Sequence, residues 1–361
     1  MSLSIRVGFR FLSGFTLGRL RSPKITLMLN PVKRTFSFSV VFVVFMVGLF
    51  SLVACTPPPP TQQFRLRVGT YKTQDYLPYY VMTTQGFSRE NGIEFEEIPV
   101  QGGAAVIEGI VKGAIDVGYV GTVPVCSAAE RGVIPDSVLP VAANNFADRD
   151  HPIQGVLAAR SFKGWKDLEG QYIAVVAVNS ITAAAIQGRL LQENVHDYKL
   201  VEIPFANCGL AVAGGNVAAA VMVEPFLTQS LLRGDGELLG WVVGGPPFER
   251  MEYTMIVFKA DIQRNNAGAV KAFLRSHLKA VRWMNRNPEG ARSTLTQSLD
   301  LNREIGWQVN MGLWPLDARS NPDLLQEMQS VLVSIGLLKE TIPVSHLYDE
   351  TLLEQVLAEN P

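Results

Sequence analysis

Residues that mark several common protein classes are scarce in this chain. It has three cysteines in 361 residues, Cys55, Cys126 and Cys208. That is too few for a disulfide scaffold, and there is no C-x-x-C pair to suggest a zinc ribbon or a thioredoxin-like centre. The four histidines, His151, His196, His277 and His346, lie far apart, so their spacing predicts no metal site. Charged residues make up 18% of the chain and the net charge is −1. Neither a nucleic-acid surface nor an acidic tail follows from that balance. The sequence lacks a G-x-S-x-G elbow and the Gly-Lys pair of a phosphate-binding loop, and the glycines of RGDGELLG (233–240) are too widely spaced for a dinucleotide fingerprint. These absences argue against an enzyme and against a resident cofactor.

Apolar residues are plentiful, at 47%, enough for a large core divided between two lobes. Some of them sit in the N-terminal segment. Residues 36–54 carry no charge and follow Lys33 and Arg34, the order of a secretory signal. Their length also approaches the ~20 residues of a membrane-spanning helix. Leu52-Val53-Ala54-Cys55 favours the signal, because it has the form of a bacterial lipobox. Small residues there admit the peptidase, and the cysteine thiol accepts the lipid. The expectation is a signal peptide over 1–54, with Met28 as the better start, then lipidated Cys55. Residues 55–63 form a proline-rich spacer that holds the folded part off the extracytoplasmic face of the cell membrane.

From Phe64 onward short β-like runs alternate with helical stretches, the pattern of an α/β fold. RLRVG (65–69), EFEEIPV (94–100), IDVGYV (115–120), VLPVAANN (138–145), YIAVVAV (172–178), AAAVMVE (218–224) and TMIVFK (254–259) read as strands. One helix is expected over 77–91, and nearly everything after 259 is helical. Continuous apolar strands indicate a parallel sheet covered on both faces. GAIDVGYVGTVPV (113–125) and GNVAAAVMVEPFL (215–227) follow the same course of glycine, strand, turn, proline and new helix. That echo fits two lobes of similar topology.

These passages, with RVGTYKTQDYLPYYVMTTQGF, KDLEGQYIAV and PEGA (288–291), make residues 64–338 similar to a known family. They resemble the periplasmic binding proteins of ABC importers in the nitrate/sulfonate/taurine and thiamine-pyrimidine-precursor group. One departure is Ala218, where the family often has an aspartate. The resemblance implies a type II-like two-lobed fold, each lobe a mainly parallel sheet flanked by helices. Lobe one would be 64–158 plus 254–361, lobe two 159–253, with two chain crossings as the hinge. It implies a monomeric solute-binding lipoprotein that passes a small molecule to permease and ATPase subunits and needs no cofactor. A sensor lipoprotein and a pyrimidine-synthase-like enzyme are rival readings. The lone Cys208 of FANCGLAV, without a neighbouring histidine, speaks against the enzyme.

In such folds ligands meet the loops after the strands. Tyr71, Tyr76, Tyr79 and Tyr80 are candidates to stack on a planar ring, with Lys72 and Asp75 as charge partners. Thr122, Ser180 and Thr182 open helices and offer hydroxyls to a ligand oxygen, Asn145 offers an amide, and Glu224 can accept from an amino or imide group. Bland roles compete: Thr122 and Ser180 as helix caps, Tyr79 and Tyr80 as core. No arginine falls in these loops. A heterocycle such as a thiamine pyrimidine precursor or riboflavin is therefore expected, with sulfonate, taurine or nitrate as the alternative. Cys126 and Cys208 are expected as separate buried thiols.

Overall fold

A computed structural model describes residues 63–359. The expected signal peptide, Cys55 and all but the last residue of the spacer lie outside the described residues.

Two five-stranded sheets form the frame. In the first the order is β2 (Ile93–Pro99), β1 (Phe64–Thr70), β3 (Val117–Gly121), β10 (Met251–Lys259) and β4 (Val138–Ala147). In the second it is β7 (Tyr198–Glu202), β6 (Gln171–Val175), β8 (Ala219–Val223), β5 (Gln154–Ala158) and β9 (Glu237–Val243). β1 is parallel to β2 and β3, and β6 to β7 and β8. The strand in fourth place is reversed in both: β10 runs against β3 and β4, β5 against β8 and β9. The two sheets thus correspond strand for strand.

β3 and β8 hold equivalent places, and the sequence echo falls on them. Every residue of both is buried. A central strand covered by helices on both faces must be apolar throughout, which explains the unbroken VGYVG and AAVMV runs.

The expected lobe boundaries need correction at both crossings. β5 ends at Ala158, within the range expected for lobe one, but it pairs with β8 and β9 of the second sheet. Met251 to Tyr253, assigned to lobe two, already belong to β10 in the first sheet. The chain therefore crosses at 148–153 and 244–250. A fully buried strand fits either sheet equally well in sequence, so hydrophobicity does not say which one receives it.

The C-terminal region also departs from its expected place behind the first lobe. Helices Ala267–Arg286 and Thr351–Glu359 do bury Phe273, Leu278 and Leu353 in the core of the first sheet. Helix Pro322–Ser334 instead puts Leu325, Met328 and Leu332 into a core with Ile173 and Ile186 of the second. Its buried side chains follow helical spacing, and that spacing does not reveal their partner. The helix expected over 77–91 is broken. Gly86, at φ +77°, separates Leu77–Thr84 from Phe87–Glu90. Cys126 and Cys208 are buried and unpaired, and burial pushes each thiol up to about 12. Among the described residues no helix is long and apolar enough to cross a membrane.

Candidate ligand-binding cleft

The loops after β1, β3, β6, β7 and β8 meet between the sheets and border two neighbouring spaces. The inner one, about 50 Å³, is lined by Tyr71, Asp75 and Tyr253 from the first sheet's side and by Gln154, Ser180 and Thr182 from the second's. The outer one, about 540 Å³, lies between Tyr71, Lys72 and Tyr80 on one side and Phe205 and Phe226 on the other. Tyr71 and Phe205 border both. The outer volume is within the range usual for small-molecule sites, whereas the inner one has room only for a ligand's polar edge.

Among the described residues Asp75 is the one acidic residue on the inner wall, and it is 1% exposed. It sits in a turn between β1 and the helix at Leu77. Thr73 Oγ1 donates to its Oδ2 at 2.9 Å, and Asn145 Nδ2 to its Oδ1 at 3.0 Å. Gln74 Nε2 donates to the same Oδ1. Burial pushes the carboxyl up to about 6, against the pull of the Asn145 and Thr73 hydrogen bonds. No lysine or arginine lines the inner space among the described residues. Gln154 is also buried. Its Nε2 donates to the Tyr253 hydroxyl at 2.9 Å, and its Oε1 has no partner.

Besides Asp75, and Lys72 and Tyr80 on the outer space, the eight other expected site residues divide into three groups. Tyr71, Ser180 and Thr182 do line the inner space. Ser180 also caps helix Ile181–Gln192, accepting from the Ala183 N–H at 3.4 Å, and its hydroxyl lies 2.6 Å from that of Thr182. Asn145 stands one layer back, holding Asp75 and accepting from the Thr254 hydroxyl. The remaining four lie away from the cleft wall.

Tyr76 is wholly buried, donates to the Gly69 carbonyl at 2.7 Å and packs edge-on against Tyr71 and Tyr119. Tyr79 donates to Glu97 at 2.9 Å and faces a different depression, beside Arg65 and Phe95. Thr122 turns its hydroxyl to the Glu252 carbonyl at 2.9 Å, fastening its helix to β10. Glu224 is fully buried and accepts from the Thr228 N–H at 3.1 Å and hydroxyl at 2.8 Å, and from Asn310 at 3.4 Å. Its carboxyl is raised by burial and held back by those bonds. A helical turn carries successive tyrosines to different faces, so one loop cannot aim all of them at one ring.

The sequence marks Asp75 only as a charge partner and does not single out Gln154 or Phe205, whereas Phe226 belongs to the 224–226 loop expected at the cleft. Asp75 carries a signal, as the one acidic residue of the YKTQDYLPYY loop (71–80). Gln154 carried none, since it is an ordinary polar residue at the start of a strand.

The curated Bacillus subtilis (strain 168) protein named "Putative binding protein YtlA" is 21% identical over 325 residues, covering 86% of this chain and 95% of that one. Among solved structures, the periplasmic nitrate-binding protein NrtA from Synechocystis PCC 6803 superposes with a TM-score of 0.70 at 16% identity, over 83% of this chain and 89% of that one. The alkanesulfonate-binding protein SsuA from Xanthomonas axonopodis pv. citri, bound to MOPS, gives 0.62 at 17% identity, over 82% and 98%. The two-sheet α/β architecture is the fold of these periplasmic binding proteins. Residues 58–299 match the profile of the NMT1-like family, and the chain belongs to that family.

Proposed function

We propose that this chain is the solute-binding component of an ABC importer. It captures a small organic molecule between its two sheets and delivers it to the permease, tethered to the extracytoplasmic face of the membrane through lipidated Cys55. The role is binding rather than catalysis. The ligand read from the cleft is a heterocycle bearing hydrogen-bond donors, such as a thiamine pyrimidine precursor or a flavin-like vitamin. One observation carries this choice: among the described residues the inner space presents a buried carboxylate and no basic side chain. An anion placed against Asp75 would meet like charge in a low-dielectric site.

The second reading is a sulfonate or nitrate ligand. The Ser180 and Thr182 hydroxyls at the start of helix Ile181–Gln192 and the names of NrtA and SsuA favour it. A thermal-shift panel on the full chain in detergent separates the two. It sets nitrate, taurine and alkanesulfonates against pyrimidines, thiamine precursors and riboflavin. A true ligand at ~100 times its Kd stabilises by about 2.7 kcal/mol. Heterocycles are expected to raise Tm and the anions to leave it unchanged; the reverse result selects the second reading.

A further inference from the structure

Two side chains at the inner space have acceptor capacity left: one oxygen of Asp75 holds a single donor, and Gln154 Oε1 holds none. Asp75 Oδ2 accepts from Thr73 alone, and no lysine or arginine lines the space beside it among the described residues. Gln154 Oε1, 1% exposed as a residue, accepts from nothing. Both residues line the same small volume. A buried carboxylate without a counter-ion, beside an unfilled acceptor, calls for a group that brings positive charge and at least two N–H donors. A planar N–C–N fork does both and matches a carboxylate geometrically.

The outer space defines the rest of the molecule. Phe205 and Phe226 stack on each other, ring centroids 5.6 Å apart and planes 19° apart. With Tyr71 and Tyr80 they line a largely aromatic slot, to which Lys72 and Glu97 add one charge of each sign. Such walls accept a flat ring, and their faces attract a cation.

We propose that the solute is a planar cation: an aromatic ring with an amidinium-like edge, its N–H groups on Asp75 and Gln154 and its ring between the tyrosines and phenylalanines. This rests on the solute-binding reading above and narrows its ligand class from heterocycles in general to protonated ones.

Benzamidine, benzamide and benzoate share one shape and carry charges of +1, 0 and −1, so they test the charge alone. Titrated calorimetrically into the full chain, benzamidine is expected to bind at least about tenfold tighter than benzamide, ~1.4 kcal/mol, and benzoate not at all. In Asp75→Asn the tenfold ratio should collapse while benzamide is little changed. The wild-type comparison stands even if that variant proves unstable. Benzamide or benzoate binding as well as benzamidine, or benzamidine failing to bind at millimolar concentration, overturns the proposal. If that happens while the heterocycles of the thermal-shift panel still bind, the planar cation falls and the solute-binding reading survives. If the panel's heterocycles also fail and the anions succeed, the ligand class falls with it.

Discussion

Burial moves the protons of Asp75 and His277 in opposite directions. Asp75 keeps its proton up to about 6 in the folded chain, above the ordinary aspartate value, so its contribution to stability falls as pH rises through that window. His277 faces the reverse case. It lies wholly buried in helix Ala267–Arg286, with Nδ1 3.2 Å from the Tyr119 hydroxyl and Nε2 unpartnered. Burial lowers its pKa to about 3, so between the unfolded value of ~6.5 and that figure the unfolded chain binds the extra proton. The His277 contribution to stability is therefore intact above about pH 6.5 and is lost as the pH falls towards 3. His277→Gln is expected to remove this slope. Urea midpoints between pH 7 and pH 4 should fall less steeply in the variant, and equal slopes would show that His277 does not titrate on unfolding.

At the scale of elements, the two crossings between the sheets meet at one glycine. Gly244 has φ +84°, and a Cβ there would lie 2.4 Å from Pro152 Cα and 2.6 Å from the Asp148 carbonyl. Both clashes are with backbone of the other crossing, so no side-chain rotation relieves them. Gly244→Ala should cost on the order of 2–4 kcal/mol. Circular dichroism during thermal unfolding would check this, and a Tm within a degree of wild type would refute the tight crossing. Reversed β5 and β10 explain why these crossings exist: each inserts a strand from one half of the chain into the middle of the other's sheet.

Across the whole molecule, Glu224 links parts that are distant in sequence. Its carboxylate gathers Thr228 and Asn310, and its carbonyl accepts from the Gln74 N–H at 3.2 Å. Gln74 Oε1 in turn accepts from the Gly312 N–H at 3.1 Å. The end of the second sheet, the turn before Leu77 and the 310–312 loop are thereby joined behind the cleft. Glu224→Ala should leave these buried donors unpaired and cost about 1–3 kcal/mol in urea unfolding. Because Glu224 does not line the cleft, the ligand that stabilises the wild type should still stabilise the variant. Loss of that ligand shift with unchanged stability would instead put Glu224 in contact with the solute.

The α/β class, the near-continuous apolar strands and the echo between 113–125 and 215–227 were all legible in the sequence. They rest on local periodicity and on the burial that any central strand requires. Ser180 and Thr182 were legible too, because a hydroxyl before an apolar helix marks a helix start whatever surrounds it. The tertiary structure alone decided which sheet received β5, which core took helix Pro322–Ser334, and which tyrosines faced the cleft. It also brought Asp75 and Gln154, 79 positions apart in the chain, to one small cavity. Those outcomes depend on contacts between segments remote in sequence, and side-chain type and spacing carry no record of the partner a buried surface will meet.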